Sequence, residues 1–341
     1  MYRFPAEWEH SDTLLIAWPH ENTDWNYMLD EVQKCYLEIV RNATRFGTVI
    51  IATPEPAGVD RQLRESGIDV SRCVLAEVPT NDTWARDFGP ITLLDADASP
   101  VLLDFKFNGW GLKFASDKDN LITRRLVEGG YLKGEYVNRL NFVLEGGSIE
   151  SDGKGLLLTT SECLLSPNRN GEFSREQIEN YLIDTLHVSK VLWLDHGALA
   201  GDDTDSHIDT LARLAPESTI LYVKCDDPDD EHFAGLEAME NQLMQMRDLQ
   251  QKPFRLLSLP LPDAIYDENG ERLPATHANF LIFNKAVLVP TYAQPVKDSA
   301  ALATIAQAFP EHEIIGVDCR ALIRQHGSLH CVTMQLPEQV R

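Results

Sequence analysis

The sequence has no long uncharged apolar segment and comparatively few basic residues. None of its apolar runs approaches the roughly 18 residues that a membrane-spanning helix needs, and acids appear early, where a secretion signal would be apolar. The 341 residues include 30 Lys and Arg against 53 Asp and Glu, a formal net charge of −23. A chain this acidic is a poor partner for nucleic acid or an anionic membrane, because both need a basic surface. We therefore expect a cytoplasmic protein, with a small cationic molecule as its ligand and neither nucleic acid nor membrane as partner.

Cysteines are also sparse: the six lie at positions 35, 73, 163, 225, 319 and 331. They are too irregularly spaced for a disulfide scaffold, and none belongs to a C-x-x-C pair of the kind found in zinc ribbons and thioredoxins. In a reducing compartment most of them should be small buried hydrophobic residues. One of the six could still be a reactive thiol.

No Gly/Ser linker, low-complexity tract or long charge run divides the chain, so we predict a single catalytic domain over residues 1–341. Short β-branched and apolar runs predict strands at 13–18, 48–53, 91–94, 101–107, 156–160, 191–194, 220–223, 280–290 and 314–317. Amphipathic stretches predict helices at 24–46, 230–249 and 298–309, and a capping box predicts another at 174–186. Strands outnumber helices by two or three to one, whereas a doubly wound sheet has about one strand per helix. We therefore expect an α/β fold built from repeated ββαβ modules.

Five short segments place charged, polar or glycine residues at the ends of predicted strands. They are WARDFGP (84–90), LEGGS (144–148), DDTDSHID (202–209), PATHAN (274–279) and HGSLHC (326–331). One residue marks the position of each segment: Asp87, Glu145, His207, Asn279 and Cys331. These markers are spaced by 58, 62, 72 and 52 positions, close to one fifth of the 341-residue chain. If each segment belongs to one module, the five markers converge on a shared centre.

Cys331 is the candidate nucleophile. Residues 328–334 are predicted as a strand, in which Cys331 faces one side and His330 the other. His330 is therefore a poor general base for the neighbouring thiol, and the imidazole must come from elsewhere in the chain. A buried strand cysteine without a catalytic role is the alternative for this segment alone.

His207 could supply that imidazole. It lies two residues before Asp209, so the two side chains point the same way on a strand but diverge on a helix. Asp202, Asp203 and Asp205 are also nearby, and negative charge raises the pKa of a histidine, which favours a proton donor near neutral pH. A solvated acidic loop and a metal site remain alternatives, because D-x-H-x-D is a dense set of hard ligands.

Asp87 and Glu145 are candidate carboxylates of the same centre. Asp87 follows Trp84 by three positions, which suits a planar cation stacked on the ring and bridged at its edge, although a buried pair with Arg86 is the alternative. Glu145 precedes two glycines that permit close approach of the backbone, or it caps a turn. Two carboxylates, Asp87 and Asp209, can hold a guanidinium group, and a thiol and an imidazole can hydrolyse it without a metal or any other cofactor.

These motifs are similar to those of the agmatine deiminases and the related bacterial peptidylarginine deiminases, within the guanidine-modifying superfamily. The resemblance runs from PAEW (5–8) to CVTMQ (331–335) and includes 84–90, NGWG (108–111), 144–148, 202–209, GERLP (270–274) and 325–331. It implies a pentein fold, which is a five-bladed α/β propeller of pseudo-repeats with the site at its centre. It also implies conversion of agmatine and water to N-carbamoylputrescine and ammonia, and a homo-oligomer.

The resemblance assigns roles to the four catalytic candidates. Cys331 would be the nucleophile that forms an amidino-cysteine intermediate, and His207 the general acid and base. Asp87 and Asp209 would hold the guanidinium group.

The resemblance is less specific about the remaining pocket residues and the substrate. Trp84 and Glu145 would line the pocket, and Asp203 is a candidate for the distal ammonium of agmatine. Free arginine would need a basic partner, for which the sequence offers Arg86, Arg169, Arg213 and Arg272. Peptidyl-arginine fits less well.

Two further alternatives come from other classes of protein. A metal-dependent agmatinase-type ureohydrolase also uses D-x-H-x-D, but the chain lacks the Gly-Gly-Asp-His run of that group. A polyamine-binding protein without turnover would keep the cation pocket but would not need the thiol and imidazole that this chain retains.

Overall fold

A computed structural model of the chain describes residues 2–341 as five β-sheets connected in chain order by helices. The strands are β1 (Thr13–Ala17), β2 (Thr48–Thr53), β3 (Cys73–Glu77), β4 (Ile91–Leu94), β5 (Pro100–Lys106), β6 (Glu135–Val143), β7 (Ile149–Ser151), β8 (Leu156–Thr160), β9 (Lys190–Leu194), β10 (Ala212–Ala215), β11 (Thr219–Lys224), β12 (Arg255–Pro260), β13 (Leu281–Phe283), β14 (Ala286–Thr291), β15 (Glu313–Asp318) and β16 (Met334–Leu336).

Four of the sheets share one topology. In each, two strands form an antiparallel hairpin, and a helical crossover then brings in a third strand parallel to the second. The orders are β4-β5-β6, β7-β8-β9, β10-β11-β12 and β13-β14-β15. A parallel pair requires such a crossover, which explains why a helix precedes the last strand of every unit. The predicted α/β fold of ββαβ modules is confirmed.

The remaining sheet joins the two ends of the chain. Its order is β16-β1-β2-β3, and β16 pairs antiparallel with β1, with Thr13 opposite Leu336 and Leu15 opposite Met334. The C-terminal strand therefore completes the sheet that the N-terminal strand begins. This pairing fixes the position of the segment immediately before β16, which contains Cys331.

The helices follow from local sequence signals. They are α1 (Leu29–Ala43), α2 (Pro56–Glu65), α3 (Ala85–Phe88), α4 (Gly109–Leu112), α5 (Ile122–Glu128), α6 (Ser161–Leu164), α7 (Pro167–Asn170), α8 (Arg175–Leu186), α9 (Phe233–Gln245) and α10 (Pro295–Ala308). At the start of α8, the hydroxyl of Ser174 accepts from the backbone N–H of Gln177, and the Gln177 side chain accepts from the backbone N–H of Ser174. The predicted capping box is thus present. In α4, Trp110 and Gly111 have φ of 53° and 79°, so this element is a left-handed turn.

The middle strand of each module is buried along almost its whole length. β2, β8, β11 and β14 each have no more than one residue that is partly exposed, and their sequences are nearly continuous apolar and β-branched runs. Strands buried on both faces read in this way. These strands fix the backbone of each module, and the candidate site residues lie in the segments just before β4, β7, β10, β13 and β16.

One local prediction around the site is wrong. Residues 328–333 do not form a strand, because the chain turns at 329–332 before β16 begins at Met334. The sequence left open whether His207 and Asp209 lie on a strand or on a helix, and in the structure Ile208–Thr210 is a single 3-10 turn before β10. No helix within residues 2–341 is both long enough and apolar enough to cross a membrane.

Candidate active site

Gly147 marks the point where three of the predicted catalytic residues meet. A methyl group on its Cα would lie 2.7 Å from His207 Nδ1, 2.8 Å from Asp87 Oδ1 and 3.0 Å from Asp209 Oδ2. Only a residue without a side chain leaves room for these three groups. His207 and Asp209 are fully buried, and Asp87 is nearly so. The segments singled out from the sequence therefore do converge on one centre.

Asp87 is held in α3 by contacts to both carboxylate oxygens. Its Oδ2 accepts from Trp110 Nε1 at 2.9 Å, and its Oδ1 accepts from the backbone N–H of Gly147 at 3.0 Å and lies 3.6 Å from His207 Nδ1. Burial raises the pKa of Asp87 to about 6, although His207 opposes that effect. The carboxylate is therefore mostly ionised at neutral pH, and its orientation is fixed before a ligand arrives.

His207 is suited to donate a proton. Burial lowers the pKa of its imidazole, but the neighbouring Asp87 and the Cys163 thiol outweigh burial, and with Glu145 they raise the pKa to about 10. Neither ring nitrogen has a hydrogen-bond partner in the part of the chain that the structure describes. An imidazolium without a fixed partner, facing a carboxylate, is available to a group bound at the centre.

One carboxylate oxygen of Asp209 has a hydrogen-bond partner, and the other has none among the described residues. Its Oδ2 lies 2.7 Å from His330 Nδ1, whereas its Oδ1 is buried and has no hydrogen-bond partner among residues 2–341. Burial raises the pKa of Asp209, but the hydrogen bond from His330 and the charges of His207 and Arg213 bring it below the ordinary value. Asp209 is therefore ionised, with Oδ1 free to accept from a cation.

Cys331 faces the same centre from the turn that precedes β16. Its Sγ lies 3.2 Å from Asn279 Nδ2 and 3.7 Å from Asp209 Oδ2. Burial, followed by the charges of Asp209 and Asp87, raises the pKa of Cys331 well above its ordinary value. Without a bound cation, this residue is a thiol.

A pocket of about 430 Å³ leads to these groups from the surface. Asp87 and Cys331 lie at its inner end, and Asp24, Asp82 and Asp203 also line it. Among the described residues that line this pocket there is no lysine and no arginine. The pocket is therefore acidic along its length.

Trp84 forms part of the pocket wall, as predicted. Its Nε1 donates to Asp82 Oδ2 at 3.1 Å, and its ring is packed so closely against Gly327 that any side chain there would collide with it. The ring of Trp110 stands edge-on to Trp84, with centroids 6.4 Å apart. Two indoles and a glycine thus shape a narrow slot.

Asp203 also lines the pocket, toward its more exposed part. Its side chain is 41% exposed, and its carboxylate lies 3.8 Å from His326 Nε2. Lys113 Nζ donates to the backbone carbonyl of Asp203 at 2.6 Å and so ties the acidic loop to the turn that follows Trp110.

Glu145 is not in the pocket wall but behind it. Its fully buried carboxylate accepts from Arg169 Nε, at 2.9 Å and 3.1 Å for the two oxygens, and Arg169 also donates to Asp205 Oδ2 at 2.5 Å. A carboxylate held in this way does not face the substrate pocket that Glu145 was expected to line. It affects the centre through His207, whose pKa it raises.

The site also contains Asp82, Trp110 and His330, which were not among the predicted site residues, and Asn279, which marked its segment but had no predicted role. Trp110 lies in the NGWG motif and Asn279 ends the PATHAN segment, so both were inside regions already singled out. His330 was set aside because its segment was read as a strand. Asp82 had no pattern of its own beyond its place two residues before Trp84.

Two buried groups of side chains have the composition of a metal site. They are Glu145 with Cys163 and His207, and Glu7 with Glu150 and His330. In the first, Arg169 already occupies both carboxylate oxygens, and in the second, Arg213 is paired with both glutamates. These donor sets are therefore better suited to internal ion pairs than to a metal cation.

The D-x-H-x-D sequence is likewise not a cluster of metal ligands. Asp205 is paired with Lys113 and Arg169, and Asp209 Oδ2 faces His330. The two aspartates are thus engaged with different partners.

A thiol, an imidazole and two carboxylates at the centre of five α/β modules define a guanidine-modifying enzyme of the pentein fold. The chain belongs to the family of Porphyromonas-type peptidyl-arginine deiminases, whose sequence profile matches residues 3–337.

Similar proteins include both named agmatine deiminases and a provisionally named arginine deiminase. The agmatine deiminase of Stutzerimonas stutzeri is 31% identical, over 98% of this chain and 95% of that protein. A cysteine-to-serine variant of C. jejuni agmatine deiminase with substrate bound is 37% identical, with a TM-score of 0.90 over 100% of this chain and 98% of that one. A Porphyromonas gingivalis structure, described provisionally as an arginine deiminase, is 51% identical, with a TM-score of 0.94 over 100% of both chains.

Proposed function

We propose that this protein is an agmatine deiminase, which hydrolyses agmatine to N-carbamoylputrescine and ammonia in cytoplasmic polyamine synthesis or arginine catabolism. The observation that carries the proposal is a narrow pocket lined by acids and lacking lysine and arginine among its described residues. Agmatine has a guanidinium group at one end and an ammonium group at the other, so it presents a positive charge to both parts of this pocket. The named activities of the S. stutzeri and C. jejuni relatives support the same assignment.

The guanidinium group binds at the inner end, between Asp87 and Asp209. The unpartnered Oδ1 of Asp209 accepts from one edge of the cation, and Asp87 accepts from another, with its orientation already fixed by Trp110. The positive charge between the two carboxylates offsets the negative charges of Asp209 and Asp87, which together with burial keep Cys331 protonated. Substrate binding therefore lowers the pKa of the thiol and generates the thiolate.

The thiolate then attacks the central carbon of the guanidinium group, and a C–S bond forms. His207, which is protonated, donates a proton to the departing nitrogen, the C–N bond breaks, and ammonia leaves. The substrate remains attached to Cys331 as an amidino-cysteine. Water, deprotonated by the now neutral His207, adds to the same carbon, and the C–S bond breaks to release the ureido product and the thiolate.

The ammonium group of agmatine binds among the remaining acids of the pocket. Asp203 was the candidate from the sequence, and Asp24 and Asp82 line the same pocket. Burial, together with the charge of Asp24, raises the pKa of Asp82 to about 7. A bound ammonium would favour the ionised form of Asp82, which makes this carboxylate a second partner for the distal amine.

Free arginine is the second candidate substrate, because the chain is more similar to the P. gingivalis structure than to the C. jejuni and S. stutzeri agmatine deiminases. Its carboxylate would have to lie among Asp24, Asp82 and Asp203, where it would be repelled. The four arginines that the sequence offered are all engaged elsewhere: Arg86 with Glu7, Arg169 with Glu145, Arg213 with Glu7 and Glu150, and Arg272 with Asp230. The charge of the pocket therefore favours agmatine.

A direct test is to incubate the purified protein separately with agmatine, free arginine and an arginyl peptide, and to measure ammonia and the ureido product. We expect agmatine to be strongly preferred, and comparable rates on all three substrates would contradict the substrate assignment. Release of urea and sensitivity to a chelator would instead indicate the metal-dependent ureohydrolase.

The nucleophile is tested by Cys331→Ala. This variant should lose turnover but still bind agmatine, since both carboxylates remain. Unchanged turnover would refute the role of Cys331. The resemblance also implies a homo-oligomer, which remains a prediction that light scattering can test.

A further inference from the structure

Asn279 is the side chain with the shortest hydrogen bond to the sulfur of Cys331. Its Nδ2 lies 3.2 Å from Cys331 Sγ and 3.3 Å from the backbone carbonyl of Asp209. The residue is fully buried and lies in the loop before β13, so it belongs to the module β13-β14-β15. The side-chain amide of Asn279 thus connects the backbone of Asp209 to the sulfur of Cys331.

The orientation of this amide is determined by its neighbours. Its Oδ1 accepts from the backbone N–H of His330 at 2.9 Å and from the backbone N–H of Cys331 at 3.3 Å, and the protonated thiol of Cys331 can donate to it at 3.4 Å. If the amide were rotated by 180°, its NH₂ group would face these two N–H donors, and its oxygen would face the carbonyl of Asp209. Only the observed orientation pairs every donor with an acceptor, so the N–H groups must point toward Asp209 and the sulfur.

We propose that Asn279 is a catalytic residue of this centre, whose side-chain amide donates a hydrogen bond to the thiolate of Cys331 during attack and again during its release. The proposal rests on the proposed role of Cys331 as nucleophile. It assigns to Asn279 a contact with a reacting atom, in addition to its support of the turn that carries the cysteine.

The first effect of this donor is on the population of thiolate. The two carboxylates that bind the cation also disfavour a negative sulfur, whereas the amide of Asn279 favours it and counteracts burial. When the pKa of a thiol lies above the working pH, each unit by which it falls raises the thiolate fraction about tenfold, while the nucleophilicity of the thiolate falls only about threefold. A donor to the sulfur therefore increases the rate of attack.

The second effect is on the hydrolytic half of the reaction. When water has added to the amidino carbon, the C–S bond breaks, and its electron pair returns to sulfur as thiolate. A thiolate that accepts a hydrogen bond is a better leaving group, because a lower thiol pKa speeds departure. The amide of Asn279 thus assists both the formation of the C–S bond in the first step and its cleavage in the second.

Asn279→Asp and Asn279→Ala test the proposal. Asp keeps an oxygen that can accept from the two backbone N–H groups but replaces the NH₂ donor, whereas Ala removes both functions. We expect both variants to fold and to lose kcat on the order of 100-fold, as when one donor to a developing anion is removed. Asp also places a negative charge beside the sulfur, so the neutral Asn279→Ala decides between the two roles: if Asn279 only supported the turn, this variant would have a lower melting temperature but wild-type kcat in the folded protein, and that result would overturn the proposal.

A second measurement follows the thiol without turnover. The rate of alkylation of Cys331 by iodoacetamide is measured from pH 6 to 10 by mass spectrometry of the tryptic peptide 325–341, in which Cys331 is the only cysteine. Both variants should shift the rate profile to higher pH and slow alkylation at pH 7. A wild-type profile in the two variants would overturn the proposal.

Asn284→Asp is the matched control. Asn284 also binds backbone groups through both ends of its amide, accepting from Ser11 N–H and donating to the carbonyls of Ser11 and Phe46. It lies between β13 and β14, away from the sulfur, so its replacement should lower the melting temperature without shifting the alkylation profile. If the wild-type protein fails to turn over agmatine, the proposed function fails, while the alkylation profiles still decide the role of Asn279.

Discussion

His330 Nδ1 lies 2.7 Å from Asp209 Oδ2, so the histidine next to Cys331 in sequence supports a carboxylate and not the thiol. Its Nε2 lies 2.9 Å from Glu7 Oε1 and 3.0 Å from Arg213 Nη2. Burial, followed by the charges of Arg213 and Arg86, lowers the pKa of His330, whereas Glu7 and the hydrogen bond to Asp209 oppose that effect. The ring lies between the carboxylates of Asp209 and Glu7, and its Nδ1–H donates to Asp209, which fixes the orientation of this candidate binding carboxylate.

Glu7 gives a structural role to the PAEW motif near the start of the chain. Burial alone would raise the pKa of Glu7, but Arg86, His330 and Arg213 hold it well below its ordinary value. The ionised Glu7 compensates two arginines close to Asp209. The N-terminal motif is thus part of the charge balance of the active site.

Replacing His330 by Leu should weaken substrate binding more than it slows chemistry. Loss of a hydrogen bond to a buried charge costs about 1.5–3 kcal/mol, which corresponds to roughly a 10- to 100-fold increase in KM for agmatine. His330→Asn places an amide N–H near the position of Nδ1 and should recover most of the affinity. Steady-state kinetics on both variants make the comparison, and an unchanged KM in His330→Leu would contradict the supporting role.

The modules could be predicted from the sequence because their middle strands are buried on both faces. β2 and β8 are unbroken apolar and β-branched runs, and the structure has them at the predicted bounds. β6 and β12 mix polar and apolar residues and are half-exposed, so no periodic pattern distinguishes them from loops. The closing strand β16 was missed as well, because its pairing with β1 depends on the opposite end of the chain.

The sequence indicates the types of the candidate site residues but not their hydrogen-bond and ion-pair partners. The thiol, the imidazole and the two carboxylates can be recognised in the sequence as groups able to act on a guanidinium. The ion pair of Glu145 with Arg169 cannot, because the two residues are 24 positions apart and form no local pattern. The same holds for the pKa of His207, since the acids that raise it are Asp87 and Glu145 from other segments of the chain. The alternation rule failed at His330 because it assumes a strand where the chain makes a buried turn.

Gly147→Ala should abolish most activity while the protein remains folded. The added methyl group would lie between 2.7 and 3.0 Å from polar atoms of His207, Asp87 and Asp209, which displaces all three. Overpacking of this kind costs typically 1–3 kcal/mol of stability, but a misplacement of about 1 Å at reacting groups can cost on the order of 100-fold in rate. Turnover of agmatine and thermal unfolding measure the two effects.

Gly235→Ala is the control for that substitution. Gly235 lies within α9, and a methyl group there has no neighbour within 4 Å. Gly235 is the third residue of α9, and alanine there should stabilise the protein by no more than about 0.5–1 kcal/mol and leave turnover unchanged. Similar losses of activity in the two variants would mean that the crowding at Gly147 is not the cause.

Arg169→Met should strongly destabilise the protein, because it leaves the fully buried carboxylate of Glu145 without its partner. Removing one member of a buried ion pair costs about 3–5 kcal/mol. Arg64→Met is the matched control, since the pair of Arg64 with Asp60 is exposed to solvent and should contribute little to the free energy of unfolding. Chemical denaturation gives both values, and equal effects would show that burial of the pair is not decisive.

The pH dependence of agmatine binding provides a test of the outer part of the pocket. Burial and the nearby Asp24 raise the pKa of Asp82 to about 7, so its carboxylate is mainly protonated at pH 6 and mainly ionised at pH 8. The ionised fraction of such a group rises about tenfold over this interval, and KM for agmatine should fall accordingly as the pH increases. Asp82→Asn should raise KM at pH 8 and flatten the pH dependence of KM above pH 7. The rise of KM at acid pH that comes from Asp87, whose pKa is about 6, should persist.

Butylguanidine, which lacks the distal ammonium, should show only that rise of KM at acid pH in the wild-type protein. If its KM fell between pH 7 and 8 as steeply as that of agmatine, the titrating group would act on the guanidinium end, and Asp82 would have no part in holding the amine.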